Sequence, residues 1–291
     1  MAPHTLKGYL LALLGVCILS PDALLVRLLD ADPLLINAWR GLIGGSMVLL
    51  FSHFLDPRPL LAQLRPAGWW AVVAIALNAM SQIGFVYGIS HANVTDVLVI
   101  IAFAPLVSAL LSAWLLGETV QLHTWVATLL CSFGLAILLL QPDSLKQIVG
   151  LSAAVICALT VAGQFVIMRG FPQANLSGCV GFGNLLAGLL CALLVSDLSL
   201  DAGQWPLMLL MALLVSPVPF TLFVVSLRHI SAAETSLIML LESVLGSLWV
   251  WMLLAERPSN QTLLAGTLVL GTLAIHSWLT LKPRIRQTQV V

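Results

Sequence analysis

The chain alternates long apolar runs with short polar breaks. The hydrocarbon core of a bilayer is about 30 Å thick, so a helix that rises about 1.5 Å per residue needs about 20 apolar residues to cross it. Ten runs of this length predict an all-α membrane protein. The predicted spans cover approximately residues 7–28, 33–55, 68–90, 94–117, 122–140, 148–169, 176–196, 205–227, 232–255 and 262–281.

Composition supports this prediction. Hydrophobic residues make up 60% and charged residues 8% of the 291-residue chain, whereas about 25% of an ordinary soluble domain is charged. The 12 basic and 12 acidic residues cancel, so no net field favours a nucleic-acid partner. The five cysteines lie singly in apolar runs, without the spacing of a metal site. We therefore expect a lipid bilayer as the surroundings, and neither a metal nor a cofactor.

Lysine and arginine predict the orientation, because cytoplasmic loops retain positive charge. With the amino terminus inside, the outer loops hold only Arg27, Lys146 and Arg257. We therefore expect a multi-pass protein of the cell membrane with both termini in the cytoplasm, its first apolar run being too long for a signal peptide. The predicted inner segments hold the larger set: Lys7, Arg58, Arg65, Arg169, Arg228, Lys282, Arg284 and Arg286.

The second half of the chain repeats the first. At a shift of 138 residues, His91 meets His229 and Asp96 meets Glu234, and the sequence of 115–118 meets that of 253–256. A shift of 142 residues aligns the first helix of each half, with Gly8 against Gly150, Asp22 against Gln164, and Arg27 against Arg169.

Five helices per repeat is an odd number, so the second unit begins on the opposite side of the membrane. We predict two inverted five-helix repeats, residues 1–142 and 143–291. Inverted repeats recur in secondary transporters, because two near-equivalent bundles can open to either side. A duplication that merely enlarged a membrane bundle is the alternative.

Residues 90–140 combine a small polar entry at 91–95, a mid-helix Pro105 and the Leu-Leu-Gly-Glu of 115–118. Residues 228–274 repeat this arrangement, and Pro33 precedes Arg40 in the second span. Over nearly the whole chain these features resemble the drug/metabolite transporter superfamily in its EamA-domain branch. Two departures leave the substrate open: residues 20–22 replace a tryptophan-containing motif, and Ser243 replaces the second proline.

The resemblance implies ten helices around a central cavity. It implies that spans one, three, four, six, eight and nine line this cavity, and that the protein exports or exchanges small metabolites.

Glu242 is the most informative polar residue, because an ionisable group near the middle of a bilayer costs at least about 2.5 kcal/mol. It lies about eleven residues into the ninth predicted span. As a functional residue it would face the cavity and bind a cationic group or a proton. As a structural residue it would bond a hydroxyl or an arginine of a neighbouring helix.

Asp22 and Arg40 lie at a similar predicted depth, in the outer third of the first two spans. They can pair as a structural salt bridge, or the arginine can hold a substrate carboxylate. Pro21 has no backbone N–H and leaves a carbonyl unpaired four residues upstream, which predicts a broken helix.

Amides and deep tryptophans complete the candidate substrate-binding set. Asn78 and Gln82 are four residues apart and share one helix face. They and Gln164 can line the cavity or join helices by hydrogen bonds. Trp39 and Trp249 lie deeper than the interfacial tryptophans, and either one can stack on a substrate.

We predict a secondary transporter that exports or exchanges a small polar or amphipathic metabolite, such as an amino acid, by alternating access, with protons as candidate coupling ions. A multidrug exporter of lipophilic cations is the alternative. The chain has no glycine-rich phosphate loop for ATP. Its histidines form no HExxH pair, so we predict neither an enzyme nor catalytic residues. A pure scaffold would not need polar groups near the midplane.

Overall fold

The computed structural model describes residues 3–56, 58–117, 122–139, 147–171, 177–226, 229 and 232–281. These residues contain no β-strand, which agrees with the predicted all-α class. Glu118, Lys146, Arg228 and the basic residues after 281 lie outside them. The helices are α1 Pro3–Leu19, α2 Asp22–Leu29, α3 Pro33–Trp39, α4 Gly45–Leu55, α5 Leu60–Leu64, α6 Trp69–His91, α7 Val94–Ala102, α8 Ala104–Leu116, α9 Leu122–Leu139, α10 Ile148–Gly170, α11 Ser177–Leu194, α12 Trp205–Leu210, α13 Pro217–Ser226, α14 Ala232–Leu254 and α15 Asn260–Leu281.

Seven helical stretches in the described part of the chain are long and apolar enough to cross a membrane. Two shorter apolar stretches, Thr124–Gly134 and Ile238–Leu254, accompany them. The protein is therefore a multi-pass membrane protein. The seven stretches are Leu6–Leu29, Pro33–Phe54, Trp69–His91, Val94–Leu115, Ile148–Met168, Ser177–Leu194 and Trp205–Phe223.

The first span is broken where the sequence predicts a break. α1 ends at Leu19 and α2 begins at Asp22. Pro21 cannot donate a hydrogen bond to the carbonyl oxygen of Cys17, and the Ser20 hydroxyl donates to that oxygen instead, at 3.0 Å. The break places the side chain of Asp22 in the first turn of a new helix.

Two other spans contain a π-helical turn, and these two turns pack against each other. The first covers Arg40–Gly44, between α3 and α4, and the second covers Met211–Val215, between α12 and α13. In the second turn the amide of Ser216 donates to the carbonyl of Met211 at 2.9 Å. π-helical turns in α-helices are frequent at functional sites. Arg40 of the first turn and Ser216, which follows the second turn, line the cavity described below.

The hydrophobic core differs between the two ends of the bundle. A single large cluster joins residues of most spans, and most of its members, including Val26, Ile36, Ile89 and Val94, lie towards one end. We call this end the closed half. The other end, which we call the cavity half, holds two separate and smaller clusters. One includes Ala71, Ala74, Ile167 and Cys179, and the other consists of Ala12, Val16, Phe223 and Ile238.

Small residues allow two of the spans to touch through their backbones. A Cβ atom added to Gly41 would lie 2.5 Å from the Cα of Gly188 and 2.5 Å from the carbonyl oxygen of Asn184. Helices associate inside membranes by such close packing. This contact fixes the helix that carries Arg40 against α11.

Candidate functional site

A cavity of about 320 Å³ lies inside the bundle, which is within the size range of small-molecule sites. Its lining stops near the middle of each helix: it does not pass Asp22 in the first span or Phe85 in the third, and it begins at Arg40 in the second and Leu98 in the fourth. The cavity therefore occupies only the cavity half. Most of the packed core of the closed half lies beyond it, and Leu98, Ala102 and Ala104 belong to both the core and the lining.

Asp22 and Arg40 meet in a buried ion pair at the inner limit of this cavity. Arg40 Nη2 donates to Asp22 Oδ2 at 2.7 Å, and the guanidinium lies 5.3 Å from the ring centroid of Phe85. Neither Asp22 Oδ1 nor Arg40 Nε and Nη1 has a hydrogen-bond partner among the described residues. The predicted pairing is present, and each partner keeps bonding capacity beside the cavity.

Glu242 also lines the cavity, from the middle of α14. Its side chain is half-buried, and no hydrogen bond joins it to any side chain that the structure describes. Ser243, the next residue, is held to the carbonyl of Leu98 at 3.4 Å. A carboxylate that faces the cavity without a hydrogen-bond partner among the described residues can accept a proton or bind a cationic group of a ligand.

Three amide side chains form a hydrogen-bonded network between α6, α10 and α11. Asn78 Nδ2 donates to Asn184 Oδ1 at 2.7 Å and to the carbonyl of Val180 at 3.1 Å, and Gln164 Nε2 donates to Asn78 Oδ1 at 3.2 Å. Asn78 and Asn184 line the cavity, whereas Gln164 supports Asn78 from behind. The network therefore combines the two alternatives given above: its hydrogen bonds join three helices, and two of its amides line the cavity.

Gln82 follows Asn78 by one turn and lines the cavity too. It is 8% exposed, and its Nε2 has no hydrogen-bond partner in the described structure. An unpaired buried amide costs about 1–3 kcal/mol. Its free N–H groups are therefore suited to bind a polar atom of a ligand.

The two walls of the cavity differ in polarity. The wall built by α6 and α11 presents the polar groups of Asn78, Ser81, Gln82 and Asn184. The facing wall, built by α13 and α14, is mostly apolar apart from Glu242 and the hydroxyls of two serines. Its apolar residues are Pro219, Phe220, Phe223, Met239 and Leu240.

The structure places the two candidate tryptophans outside the cavity lining. Trp39 donates from Nε1 to the carbonyl of Leu198 at 3.0 Å. Its ring packs edge-to-face with that of Trp205, with 4.9 Å between the ring centroids. Trp249 donates from Nε1 to the hydroxyl of Ser20 at 2.9 Å. Trp249 therefore supports the broken first span. A direct substrate contact by either tryptophan stays a prediction.

The sequence interpretation missed the aromatic residues of the lining. Phe85 and Phe223 both line the cavity, and they are separated by the 138-residue shift of the repeat. Aligning the third span with the eighth at this shift places the two phenylalanines at equivalent positions, and this match is the signal that could have identified them.

Comparison with known proteins identifies the family. The model of the EamA-like transporter family matches residues 6–140 and again residues 148–278. An uncharacterized transporter of Pseudomonas aeruginosa is 24% identical to this chain over 94% of the chain and 93% of its own length. A solved crystal structure, described only as that of a protein, superposes with a TM-score of 0.63 at 20% identity and covers 96% of this chain and 98% of its own. Because the two family matches cover most of its length, the chain belongs to the EamA-like transporter family.

Proposed function

We propose that the protein is a secondary transporter that carries a small amphipathic metabolite across the cell membrane by alternating access. The observation that carries this proposal is a cavity with one polar and one apolar wall, which is confined to one half of the bundle and closed by the packed core of the other half. A transporter must expose its binding site to one side at a time, and a cavity of this shape is the expected form of one such state.

The arrangement of the lining supports ten spans in two inverted repeats, residues 1–142 and 143–291. The lining includes pairs of positions that differ by the 138-residue repeat shift, which is expected if the cavity lies on an axis relating the two units. The pairs are Asn78 with Ser216, Ser81 with Pro219, Gln82 with Phe220, Phe85 with Phe223, Ile101 with Met239, Ala102 with Leu240, and Ala104 with Glu242.

The chemistry of the lining favours a substrate with charged and apolar parts. Asp22, Arg40 and Glu242 offer both signs of charge, the amides of one wall offer neutral hydrogen bonds, and the phenyl rings of the other wall offer apolar surface. A small zwitterion with an apolar side chain, such as an amino acid, fits this combination. Its ammonium group would bind Glu242 and its carboxylate would bind the free donors of Arg40.

Glu242 is also the residue that we propose for proton coupling. A carboxylate without a hydrogen-bond partner in the described structure can exchange a proton for a substrate when the cavity changes sides. Both termini lie in the cytoplasm in this proposal, as the distribution of lysine and arginine predicts.

Flux measurements in proteoliposomes test the proposal. A thermal-shift screen of the purified protein against amino acids, nucleosides, sugars and quaternary ammonium ions would select ligands, because a ligand of the folded state raises its apparent stability. Uptake of the selected radiolabelled ligands would then be compared between wild type and Glu242→Gln. We expect flux to fall at least about tenfold and to lose its dependence on a pH gradient.

The control is Asp197→Asn, which removes an exposed acid that binds Ser199 in the loop after α11. We expect wild-type flux from it. Wild-type flux with unchanged pH dependence from Glu242→Gln would refute the role of this residue, and no flux for any selected ligand would refute transport of this class.

A multidrug exporter of lipophilic cations is the second candidate. It is favoured by one observation, which is that the carboxylate of Glu242, which has no hydrogen-bond partner among the described residues, lies among the phenyl and aliphatic groups of the apolar wall. Resistance of an overexpressing strain to a panel of lipophilic cations distinguishes the two. Broad resistance without amino-acid flux would replace the first candidate by the second.

A further inference from the structure

Three buried nitrogen atoms of the cavity lining carry hydrogens but have no acceptor. They are Nε and Nη1 of Arg40 and Nε2 of Gln82, and none of them has a hydrogen-bond partner among the described residues. Arg40 is 9% exposed and Gln82 is 8% exposed, and both residues line the cavity. Because buried polar groups are nearly always hydrogen-bonded, three unpaired donors in one cavity indicate a ligand that carries acceptor atoms.

The position of Phe85 shows that these donors belong to one patch. Its ring centroid lies 5.3 Å from the guanidinium carbon of Arg40. Gln82 precedes Phe85 by three residues on α6, and residues three apart on a helix are neighbours, with about 5–6 Å between their Cβ atoms. The second and third spans therefore bring the free donors of Arg40 and Gln82 together. We call these two side chains the donor patch.

Asp22 holds the donor patch in place without using all of its donors. The carboxylate of Asp22 accepts from Nη2 of Arg40 at 2.7 Å. This bond fixes the guanidinium group and leaves Nε and Nη1 for another acceptor. A donor set that is held in position before a ligand arrives loses little entropy when the ligand binds.

The charge of the lining indicates which acceptor group fits the donor patch. Among the described residues of the lining, Asp22, Arg40 and Glu242 carry charges, so one cation lies beside two acids. A phosphate monoester carries about −1.5 to −2 charges at pH 7, which this single cation would not balance. A carboxylate carries one negative charge, and its two oxygen atoms accept several hydrogen bonds, including two from one guanidinium. The donor patch therefore suits a carboxylate.

The internal repeat places a different kind of side chain at the position equivalent to Gln82. This position is Phe220, at the shift of 138 residues, and it lines the facing wall of the cavity. Its phenyl ring offers apolar surface where Gln82 offers N–H groups. The two equivalent positions would therefore orient a ligand across the cavity, with its carboxylate towards α6 and its apolar part towards α13.

We propose that Gln82 is a specificity-determining residue, which donates to the substrate carboxylate together with Arg40 and thereby selects amino acids over amines that lack this group. The inference rests on the proposed function and deepens it, because it assigns the choice between the two candidate substrate classes to one uncharged side chain. An amine without a carboxylate leaves the donor patch unpaired when it enters. A site whose buried polar groups are left unpaired by an analogue rejects that analogue strongly.

Matched pairs of ligands test the proposal on the purified full-length protein. The probes are leucine, methionine and phenylalanine, and for each of them the primary amine that remains when the carboxylate is removed. The two members of a pair share the ammonium group and the apolar side chain. The dependence of the unfolding temperature on ligand concentration gives a dissociation constant for each probe. The measured quantity is the ratio of acid affinity to amine affinity within a pair.

We expect wild type to bind at least one of the acids more tightly than its amine, by about tenfold or more. Gln82→Leu removes the N–H groups and keeps a side chain of similar size. It should weaken acid binding by about ten- to hundredfold, as for the loss of a hydrogen bond to a charged group, and change amine binding by less than about threefold. Gln82→Glu places a second carboxylate against that of the substrate and should reverse the preference.

Two further variants separate carboxylate recognition from a general effect on binding. Gln204→Leu removes an amide that lies outside the cavity lining and donates to the carbonyl of Leu29 at 2.8 Å. It should leave the affinity ratio unchanged. Phe220→Ala removes apolar surface that both members of a pair would contact, so it should weaken both by similar factors.

Equal losses of acid and amine binding in Gln82→Leu would overturn the proposal, and so would a wild-type preference for the amines or no binding of any acid. If Gln82→Leu does not remain folded on size exclusion, Gln82→Glu decides by the same ratio. The flux assay separates this inference from the proposed function. Flux of a selected ligand with no dependence on Gln82 refutes the role of this residue alone, whereas acid binding that depends on Gln82 without any flux refutes transport alone.

Discussion

The closed half and the cavity half are built from the same helices and differ in how those helices meet. In the closed half, residues of most spans, such as Leu29 and Ile36, join one continuous core. In the cavity half that core divides into two clusters, one around α6, α10 and α11 and one around α1, α13 and α14. The cavity separates these two groups of helices. The difference indicates that one mouth is closed by packing and that the other is not.

The largest expected effect concerns the ion pair at the boundary between the halves. Arg40→Gln leaves the Asp22 carboxylate, which is 3% exposed, without its cation. Breaking a buried pair in this way costs about 3–5 kcal/mol. Unfolding in mixed micelles measures the loss of free energy, and the double variant Asp22→Asn with Arg40→Gln should lose less than Arg40→Gln alone.

Arg58→Gln is the matched control for this prediction. Its guanidinium pairs with Asp56 at 2.6 Å, but the side chain is 55% exposed. An exposed pair is worth about 1 kcal/mol or less. Equal losses from Arg40→Gln and Arg58→Gln would show that the boundary pair is not the buried constraint described above.

The second prediction compares an isoleucine inside the closed-half core with one that lines the cavity. Ile89 is fully buried in the closed-half core, so Ile89→Ala should cost about 2 kcal/mol or more through lost contacts and the remaining void. Ile101 lines the cavity and already has a void on one side, so Ile101→Ala should cost under about 1 kcal/mol. The same unfolding assay measures both, and equal costs would contradict the contrast between the packed core and the cavity.

The third prediction uses the repeat as its own control. Asn78→Ala leaves Asn184 Oδ1 and Gln164 Nε2 without the partners they have now, at a cost of about 1–3 kcal/mol. Ser216 occupies the equivalent position and also lines the cavity, but its hydroxyl makes no hydrogen bond to the described residues. Ser216→Ala should therefore be nearly neutral in unfolding. A neutral Asn78→Ala would mean that the amide network contributes nothing to the cavity half.

Several features of the site could be predicted from the sequence because they follow from local chemistry. Pro21 must interrupt a helix, whatever surrounds it. Asp22 and Arg40 could be placed at the same depth because the first two spans are joined by a short connection and a helix has a known rise per residue. Glu242 could be singled out because a charge among apolar residues is costly. These inferences need only position along a helix.

Other features could not be predicted because they depend on how helices rotate and approach one another. Depth alone suggested Trp39 and Trp249 as stacking residues, but rotation directs their indole N–H groups to Leu198 and Ser20. The π-helical turn at Arg40–Gly44 has no signature in the sequence, since it depends on packing against the turn at Met211–Val215. The core forms one large cluster in the closed half and two smaller clusters in the cavity half. This difference reflects the conformational state, which composition does not encode.

The smallest expected effect on stability comes from the residue with the largest expected effect on transport. Glu242 makes no hydrogen bond within the described structure and faces the cavity, so Glu242→Gln removes no hydrogen bond to the described residues. Its free energy of unfolding should stay within about 1 kcal/mol of wild type, in contrast to Asp22→Asn, which loses the charge that pairs with Arg40. Replacing a residue that stabilises the fold should lower the free energy of unfolding, as we expect for Asp22. Replacing a residue that binds a ligand should leave it nearly unchanged, as we expect for Glu242. If Glu242→Gln instead destabilises the protein as strongly as Asp22→Asn, the carboxylate has a structural partner, and its role as the central binding group in the cavity half would have to be abandoned.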